Sequence, residues 1–344
     1  MIHAVNSIRN RTSRGGSQIP HCGRTAPTLC KVTSLLIVVM LSGLLLASCD
    51  TDDTAGLAHF PTQVYTLVAP TATPAAASTD PVVLTPTPLP IPQITARAPH
   101  DLVGKSVDGQ EITAWQFGDG ATHIVLIGGI HGGYEFNTVL LSQMLITYFD
   151  QNPADVLPGI SLSIIPMANP DGVTTGGGLP GRLNAHGVDL NRNWDCDWSS
   201  SAVWGTVPVD PGTAPFSEPE SAALRDYLSA QPLPDAVIFY HSALGIIAVG
   251  ECDGQSPGSD WFPQLISTST GYPVHKFDYY EVTGDASNWL AKIGVPAMVL
   301  ELSSHVDPEF RRNLLGVIAL ECHFALERLQ DAEHNPNYQR LCIS

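Results

Sequence analysis

The stretch Ile124-Val125-Leu126-Ile127-Gly128-Gly129-Ile130-His131 decides how the rest of the sequence is interpreted. Its first four residues form a short apolar run, which predicts a buried strand. A segment with helical character follows over residues 137–149. Strands that alternate with helices are typical of α/β proteins, so this stretch predicts an α/β fold.

The alternation continues along the chain. Residues 161–167, 236–240 and 297–302 are predicted strands, and residues 308–329 form a predicted helix. Ser217 and Glu220 match a capping box, which predicts a helix from there to Ala230. Residues 168–216 are rich in Gly, Pro, Asn and Asp and predict a long functional loop region. We therefore expect a three-layer α/β/α sandwich with a mostly parallel or mixed central sheet and active residues at the strand ends.

Residues 1–48 have the pattern of an export signal. Five basic residues and no acidic one precede an apolar run from Leu35 to Leu46, too short to span a membrane comfortably. Leu46-Ala47-Ser48-Cys49 resembles the bacterial lipobox, which implies that Cys49 carries a lipid. An ordinary signal peptide or an uncleaved anchor is the alternative. The expectation is an exported, extracytoplasmic lipoprotein anchored to the membrane.

Composition divides the remainder into two parts. Residues 49–99 are rich in Thr, Pro and Ala and predict a semi-rigid tether, while residues 100–344 are long enough for one domain with a substantial core. Without the leader, 11 basic residues stand against 33 acidic ones. Such a surface repels nucleic acid, so we expect no nucleic-acid partner.

Four cysteines fall within the predicted domain. An even number in an exported protein suggests disulfides, and four cysteines allow three pairings. We favour Cys196 with Cys252 and Cys322 with Cys342. Zinc binding by these cysteines is disfavoured because no C-x-x-C pair is present.

Three residues at predicted strand ends or helix starts are candidate metal ligands. His131 and His241 each follow a predicted strand, and Glu135 stands at the start of a predicted helix. Two imidazoles and a carboxylate leave a fourth zinc position for water, as a hydrolytic site needs. Singly, each has a structural explanation: a hydrogen-bonded histidine, or a carboxylate that stabilises a helix N-terminus.

Several dispersed motifs occur in a fixed order. They are Gly128-Gly129-Ile130-His131, Asn169-Pro170-Asp171-Gly172, Gly187-Val188-Asp189-Leu190-Asn191-Arg192-Asn193-Trp194, Pro215-Phe216-Ser217-Glu218-Pro219-Glu220 and His241-Ser242. This series resembles the zinc carboxypeptidases of the carboxypeptidase A type, including their small bacterial murein-peptide relatives. The resemblance covers nearly all of residues 100–330 and implies that residues 100–344 form a catalytic domain with a zinc carboxypeptidase-like fold.

The resemblance implies one Zn²⁺ held by His131, Glu135 and His241. The family usually spaces its first two ligands as H-x-x-E, whereas this chain has one extra residue in His131-Gly132-Gly133-Tyr134-Glu135. Two glycines are able to absorb that residue in a tighter turn. Glu135 is therefore the least secure of the three ligands.

The same resemblance assigns substrate contacts. Asn191 and Arg192 fall on the pair that grips the terminal carboxylate, which suits the bidentate geometry of a guanidinium. Arg182 resembles the arginine that stabilises negative charge on the scissile carbonyl oxygen. Tyr280 matches a mobile tyrosine that covers the substrate, with Tyr279 as the alternative register.

Two acidic residues complete the expected site. Glu301, within Val299-Leu300-Glu301-Leu302, matches the family's catalytic glutamate, and a carboxylate at the end of an apolar strand is costly to bury. Asp285 has two interpretations of equal weight. It pairs with a basic residue or the amine of diaminopimelate in the substrate pocket, or it caps a helix through residues 288–290.

These expectations favour a metallocarboxypeptidase that acts on a peptide. The main alternative keeps the fold and the zinc but acts as an amidase on the γ-glutamyl–diaminopimelate bond of murein peptides. A deacylase of the aspartoacylase type fits the motifs less well, and a serine hydrolase is disfavoured because no G-x-S-x-G elbow is present. A non-catalytic peptide-binding lipoprotein would be expected to lack a ligand or the base, yet His131, His241 and Glu301 are all present.

Overall fold

The computed structural model describes residues 96–328 and 332–343. The predicted export signal, Cys49 and the tether up to residue 95 lie outside the described residues. The strands are β1 His100–Lys105, β2 Glu111–Gly118, β3 Thr122–Ile127, β4 Ile160–Ile165, β5 Ala202–Trp204, β6 Val207–Val209, β7 Ala236–Ser242, β8 Ile247–Val249 and β9 Ala297–Leu302. The helices are α1 Phe136–Gln151, α2 Pro170–Thr175, α3 Leu179–Arg182, α4 Pro219–Ser229, α5 Phe262–Thr270, α6 Ala286–Lys292, α7 Phe310–Arg328 and α8 Pro336–Tyr338.

Seven of these strands form one mixed sheet in the order β1-β2-β4-β3-β7-β9-β8. The four central strands β4, β3, β7 and β9 run parallel, and antiparallel strands close both sides. β5 and β6 pair separately as a small antiparallel ribbon. The centre of the sheet is therefore the parallel, helix-covered part that the sequence predicts.

Side chains of the central strands alternate between two hydrophobic clusters. On β3, Ile124 and Leu126 pack in one cluster with residues of α1, α5 and α7. Val125 and Ile127 point to the other face and pack with residues of α4 and α6. Because successive strand residues face opposite sides, a wholly apolar strand requires a helical layer on each face. The three-layer α/β/α sandwich is thus confirmed.

Most of the predicted core elements are present. β9 has the predicted bounds, and α1 and α7 differ from prediction by one or two residues at each end. β1, β2 and β8 were not predicted. Of these, β1 is largely exposed and β8 has only three residues, so neither has a clear apolar pattern. The long region of residues 168–216 holds α2, α3 and the β5–β6 ribbon.

The capping box predicted at Ser217 and Glu220 is wrong. α4 begins after Glu218, and no side chain caps it. The Glu220 carboxylate is buried and accepts hydrogen bonds from the Val107 amide at 3.0 Å and from Asn184 at 3.2 Å. The Glu220 side chain is therefore hydrogen-bonded to residues distant in the sequence and does not cap the helix end.

Both predicted disulfides are present. Cys196 is bonded to Cys252, and Cys322 is bonded to Cys342. The first joins the loop that follows β8 to the loop region between α3 and β5, and the second ties the last described segment to α7. Among the helices of the described residues, none has the length and apolar character needed to cross a membrane.

Candidate active site

The carboxyl ends of three parallel strands place the predicted catalytic groups together. His131 follows β3, His241 lies one residue before the end of β7, and Glu301 lies one residue before the end of β9. The β7–β9 pairing sets His241 directly beside Glu301. Open α/β sheets bind ligands at this edge, so the sheet sets His241 and Glu301 together and the loop after β3 adds His131.

A tight glycine turn carries the chain from His131 to Glu135. Gly132 has a φ of +45°, which favours glycine. A Cβ atom on Gly132 would lie 2.6 Å from the Gly181 carbonyl oxygen, and one on Gly133 would lie 2.3 Å from the Gly176 carbonyl oxygen. The turn therefore packs backbone to backbone, and this close packing accommodates the extra residue between the two ligands.

Glu135 reaches both histidines. Its Oε1 lies 2.8 Å from His131 Nδ1, and its Oε2 lies 3.2 Å from His241 Nδ1. Candidate ligand atoms of the three residues all lie within 4.8 Å of one another. Burial alone would raise the pKa of Glu135, but the two imidazoles hold it below the ordinary value. The H-x-x-x-E spacing thus still brings the carboxylate to the imidazoles.

The donor set fits a single divalent zinc ion. The three side chains are buried, and Glu135 Oε2 and His241 Nε2 have no hydrogen-bond partner among the described residues. Unsatisfied buried polar atoms are costly unless another group compensates them. Two imidazoles and one carboxylate also match the ligand chemistry of a hydrolytic zinc site with an open position.

Asp189 was not predicted as a site residue, yet it supports the cluster. Its buried carboxylate accepts a hydrogen bond from Arg182 Nε at 2.8 Å and lies 3.4 Å from His131 Nε2. Burial opposes its ionisation, but the Arg182 guanidinium holds the pKa of Asp189 well below its usual range. Its signal in the sequence was its position two residues before Asn191, within a motif already singled out.

Arg182 stands beside the metal-ligand cluster. It ends the short helix α3, and its guanidinium is almost fully buried. Nη1 lies 3.7 Å from Glu135 Oε1, and the guanidinium carbon lies 5.1 Å from the Trp204 ring centroid. Asp189 and Trp204 therefore hold a fixed positive charge next to the cluster.

Glu301 presents a carboxylate to the same space. Its Oε2 accepts a hydrogen bond from the Leu244 amide at 3.3 Å, and its backbone is fixed within the sheet by the Ile246 carbonyl. Burial, followed by the charge of Glu135, raises the pKa of Glu301 to about 7. A carboxyl group with such a pKa is able both to accept and to release a proton near neutral pH.

Arg192 lies at another wall of the same space, held by backbone carbonyls. Nε and Nη2 donate to the Val203 carbonyl, both at 3.1 Å, and Nη1 donates to the Asn191 carbonyl at 2.7 Å. Nη2 also donates to the Tyr280 hydroxyl at 3.3 Å. Tyr280, rather than the exposed Tyr279, is therefore the tyrosine at the arginine.

Asp285 caps α6. Its Oδ1 accepts hydrogen bonds from the amides of Ser287 and Asn288 and from the Ser287 hydroxyl, and its Oδ2 accepts one from Asn191 Nδ2 at 2.7 Å. Asn191 Oδ1 accepts the Ala286 amide at 3.0 Å. Of the two roles expected for Asp285, the structure therefore shows the helix cap.

One cavity of about 1010 Å³ joins these groups. Every predicted site residue within the described part lines it, whereas Cys49 lies outside that part. Aromatic side chains that were not predicted also line it, among them Tyr134, Trp204 and His305. Tyr134 gave a signal in the sequence, because it belongs to the spacer with the extra residue.

Part of this chain is similar to a known protein family. Residues 94–250 match the family model of the zinc carboxypeptidases. Murein peptide amidase A of Escherichia coli (strain K12) is 28% identical over 192 residues, which cover 52% of this chain and 69% of that protein. Bacteriocin BCN5 of Clostridium perfringens is 28% identical over 244 residues, covering 67% of this chain but 26% of the bacteriocin. This chain therefore spans only about a quarter of that relative's length.

The fold agrees with that match. Carboxypeptidase A from Helicoverpa armigera superposes with a TM-score of 0.52 at 22% identity, over 65% of this chain and 66% of that one. The family match and the buried His–Glu–His cluster within residues 94–250 reinforce each other. Residues 94–250 of this chain therefore match the zinc carboxypeptidase family of metallopeptidases, in fold as well as in sequence.

Proposed function

We propose that this protein is a zinc-dependent metallocarboxypeptidase that hydrolyses the C-terminal bond of a peptide. One observation carries the proposal: a single cavity holds a His–Glu–His cluster, a carboxyl group with a raised pKa and two buried arginines. Hydrolysis of a terminal peptide bond needs an activated water, a proton carrier, a charge for the oxyanion and a charge for the carboxylate. The cavity contains a residue suited to each of these four requirements.

His131, Glu135 and His241 would hold the zinc ion. When bound, zinc supplies Lewis acidity towards the substrate carbonyl and promotes ionisation of water. Asp189 orients the first of these ligands, because it lies beside His131 Nε2 while Nδ1 faces Glu135. A carboxylate behind a ligating histidine fixes the ring and its tautomer.

Glu301 carries the proton in this proposal. Its carboxylate accepts a proton from the attacking water and delivers it to the nitrogen of the leaving amine. A proton carrier works best when its pKa lies near the working pH, and the pKa of Glu301 is about 7. The hydrogen bond from the Leu244 amide fixes one oxygen, so the carboxylate has a defined direction.

Arg182 stabilises the negative charge that develops on the carbonyl oxygen. Its guanidinium is fixed by Asp189 and by contact with Trp204, so it needs little rearrangement when that charge forms. Preorganised donors of this kind supply several kcal/mol of transition-state stabilisation, about 3–4 kcal/mol each in known cases.

Arg192 binds the terminal carboxylate. Its four hydrogen bonds occupy four of the five guanidinium N–H groups. A bidentate contact needs two N–H groups, so the carboxylate displaces the Tyr280 hydroxyl from Nη2. The tyrosine is then free to move over the bound residue, as expected for a substrate-covering side chain. Asn191, next to Arg192, places its side-chain amide at the same end of the cavity. Its Oδ1 meanwhile accepts the Ala286 amide at the start of α6.

A murein-peptide amidase is the second candidate. It is favoured by the match to murein peptide amidase A over 69% of that protein. The same cavity would then cleave the γ-glutamyl–diaminopimelate bond, with the proton carrier and oxyanion charge in the same roles. The two functions differ in the acyl group before the cleaved bond rather than in the catalytic residues.

A direct comparison of substrates separates the two functions. Purified zinc-loaded protein is given a panel of short peptides with free C-termini and, in parallel, a murein tripeptide. A carboxypeptidase releases the C-terminal amino acid from the peptides with higher kcat/KM. Turnover of the tripeptide alone would refute peptidase activity in favour of the amidase.

We also propose that the protein is exported and anchored through a lipid on Cys49. The support is the leader sequence, with its basic start, short apolar run and Leu-Ala-Ser-Cys boundary. A Cys49→Ser variant should then appear in the soluble fraction of the cell envelope or medium. Retention of that variant in the membrane fraction would favour an uncleaved anchor.

A further inference from the structure

The extra residue in the ligand spacer places an aromatic ring in the cavity. Gly132 and Gly133 pack against the backbone of residues 172–181, so the turn has no room to shift away from the ligands. Tyr134 follows them and comes directly before Glu135, which is buried in the cluster. Fixed on both sides, the Tyr134 side chain lines the cavity.

Two further rings from distant segments meet Tyr134. The Trp204 ring, on β5, packs edge to face against it with centroids 5.1 Å apart. The His305 ring, from the loop after β9, does the same at 4.8 Å. Edge-to-face pairs at these distances are favourable and fix ring orientation. The three rings form a continuous surface, which we call the aromatic wall.

Two rings of the aromatic wall, Tyr134 and His305, make their contacts away from the carboxylate end of the cavity, whereas Trp204 directly follows Val203, the carbonyl acceptor of Arg192. Among the described residues, neither Tyr134 nor His305 makes a hydrogen bond or ring contact with Asn191, Arg192 or Tyr280. His305 Nδ1 instead lies 3.0 Å from the Ser242 hydroxyl, at the end of β7. The cavity continues there past Leu244, an apolar side chain that is 45% exposed.

A bound peptide has only two directions from the cleaved bond. If its terminal carboxylate is at Arg192 and its carbonyl oxygen faces Arg182, the preceding residue extends away from Arg192. The Tyr134 ring centroid lies 6.0 Å from the Arg182 guanidinium carbon, so the aromatic wall begins where that residue must lie. Three ring surfaces and Leu244 offer apolar contact area there.

We propose that the aromatic wall of Tyr134, Trp204 and His305 is a specificity subsite for the side chain before the cleaved bond, and that it favours a bulky apolar residue there. The inference rests on the proposed carboxypeptidase function and names part of its substrate class. Hydrophobic pockets discriminate between side chains by about 10- to 200-fold in kcat/KM.

The test compares two substrates that differ only before the cleaved bond. Zinc-loaded full-length protein is assayed with N-acetyl-Phe-X and N-acetyl-Gly-X, where X is the C-terminal residue that the wild type releases fastest. We expect a Phe-to-Gly ratio of kcat/KM of about ten or more for the wild type. Tyr134→Ala and Trp204→Ala should each bring the ratio close to one, whereas Tyr134→Phe retains the ring and the ratio.

Tyr279→Ala is the matched control, since it removes an exposed ring from the loop that carries Tyr280. Its ratio should equal that of the wild type. If Tyr134→Ala loses zinc because it adjoins Glu135, the ratio is read from Trp204→Ala. Turnover of both dipeptides by the wild type at similar kcat/KM, or a wild-type ratio in both alanine variants, overturns the subsite alone. Absence of turnover for both dipeptides overturns the carboxypeptidase proposal and the subsite with it.

Discussion

His241 and Glu301 are direct partners in the pairing of the parallel strands β7 and β9. Adjacent strands lie about 4.8 Å apart, so the backbone alone holds the candidate ligand and the candidate proton carrier side by side. The strands belong to the buried centre of the sheet. Their relative position is therefore a property of the core and does not depend on a loop closing.

Glu301→Gln tests the proton carrier. The amide keeps the shape of the side chain and still accepts the Leu244 hydrogen bond, but it accepts no proton. General acid–base groups contribute about 10²–10⁴-fold to rate, so kcat should fall by at least about two orders of magnitude. Zinc content, measured by atomic emission, should stay at the wild-type level.

Glu327→Gln serves as the control for that variant, because this glutamate is exposed on α7. It should retain wild-type kcat. Near-normal turnover of Glu301→Gln with bound zinc would remove Glu301 from the mechanism.

Metal removal should abolish activity and lower stability together. Dialysis against a chelator leaves the buried Glu135 between two imidazoles without a cation, and added zinc should restore turnover. A ligand that binds only the folded state stabilises it by about 2.7 kcal/mol at a hundredfold excess over Kd, so Tm should rise with zinc concentration. Calorimetry with and without zinc measures the shift.

Two histidine variants locate the ion. His131→Ala removes one of the clustered ligands and should reduce bound zinc well below one ion per chain. His186→Ala removes a histidine that is paired with Glu218 at 2.7 Å outside the cavity, and it should keep full zinc content. Equal zinc content in both variants would move the metal site elsewhere.

Sequence patterns predicted the core of the fold better than its edges. Ala297–Leu302 is apolar apart from Glu301, so its continuous apolar run gave its bounds. β1 lacks such a pattern because it lies exposed at the edge of the sheet. The capping box predicted at Ser217 is wrong for a different reason. The Glu220 carboxylate accepts hydrogen bonds from Val107 and Asn184, which lie in distant segments of the sequence.

The candidate site shows the same division. His131 and His241 were marked by the predicted strands that precede them, and motif order added the two arginines. Asp189 was missed because its role depends on contacts with Arg182 and His131, which no local pattern reveals. Tyr134 was counted only as an extra residue, since its ring partners lie 70 and 171 residues further along the chain.

Asp285→Ala should destabilise the protein. It removes the cap of α6, worth about 1 kcal/mol, and leaves the buried Asn191 amide without its acceptor, which costs about 1–3 kcal/mol. We expect the free energy of unfolding to fall by about 2–4 kcal/mol in urea denaturation, the sum of those two terms.

Asp285→Asn tests the alternative role of the same residue. The carboxylate already accepts four hydrogen bonds, so it has little capacity left for a basic substrate side chain. We therefore expect the Lys-to-Leu preference at the C-terminal position to stay unchanged. A selective loss of kcat/KM for lysine would establish the pairing role instead.

A buried glutamate that does not line the cavity should make stability depend on pH. Glu321 lies in α7, where Oε2 accepts the Leu157 amide at 2.9 Å and Oε1 has no partner among the described residues. Burial, with a smaller contribution from Asp155, raises the pKa of Glu321 from its ordinary 4.5 to about 8. The folded state therefore holds a proton that the unfolded state releases above about pH 4.5.

The sign of the effect follows from that difference. The stability contributed by the protonated carboxyl group is fully present below pH 4.5, is lost as pH rises towards 8 and changes no further above that. Glu321→Gln keeps an acceptor for Leu157 and supplies a donor without titrating. The difference in unfolding free energy, variant minus wild type, should thus grow by up to about 5 kcal/mol between pH 4.5 and 8.5. Urea denaturation at both pH values measures it, and subtraction cancels groups common to both proteins. A difference that stays constant with pH would mean that Glu321 is already ionised in the folded protein, with the Leu157 amide sufficient to stabilise its charge.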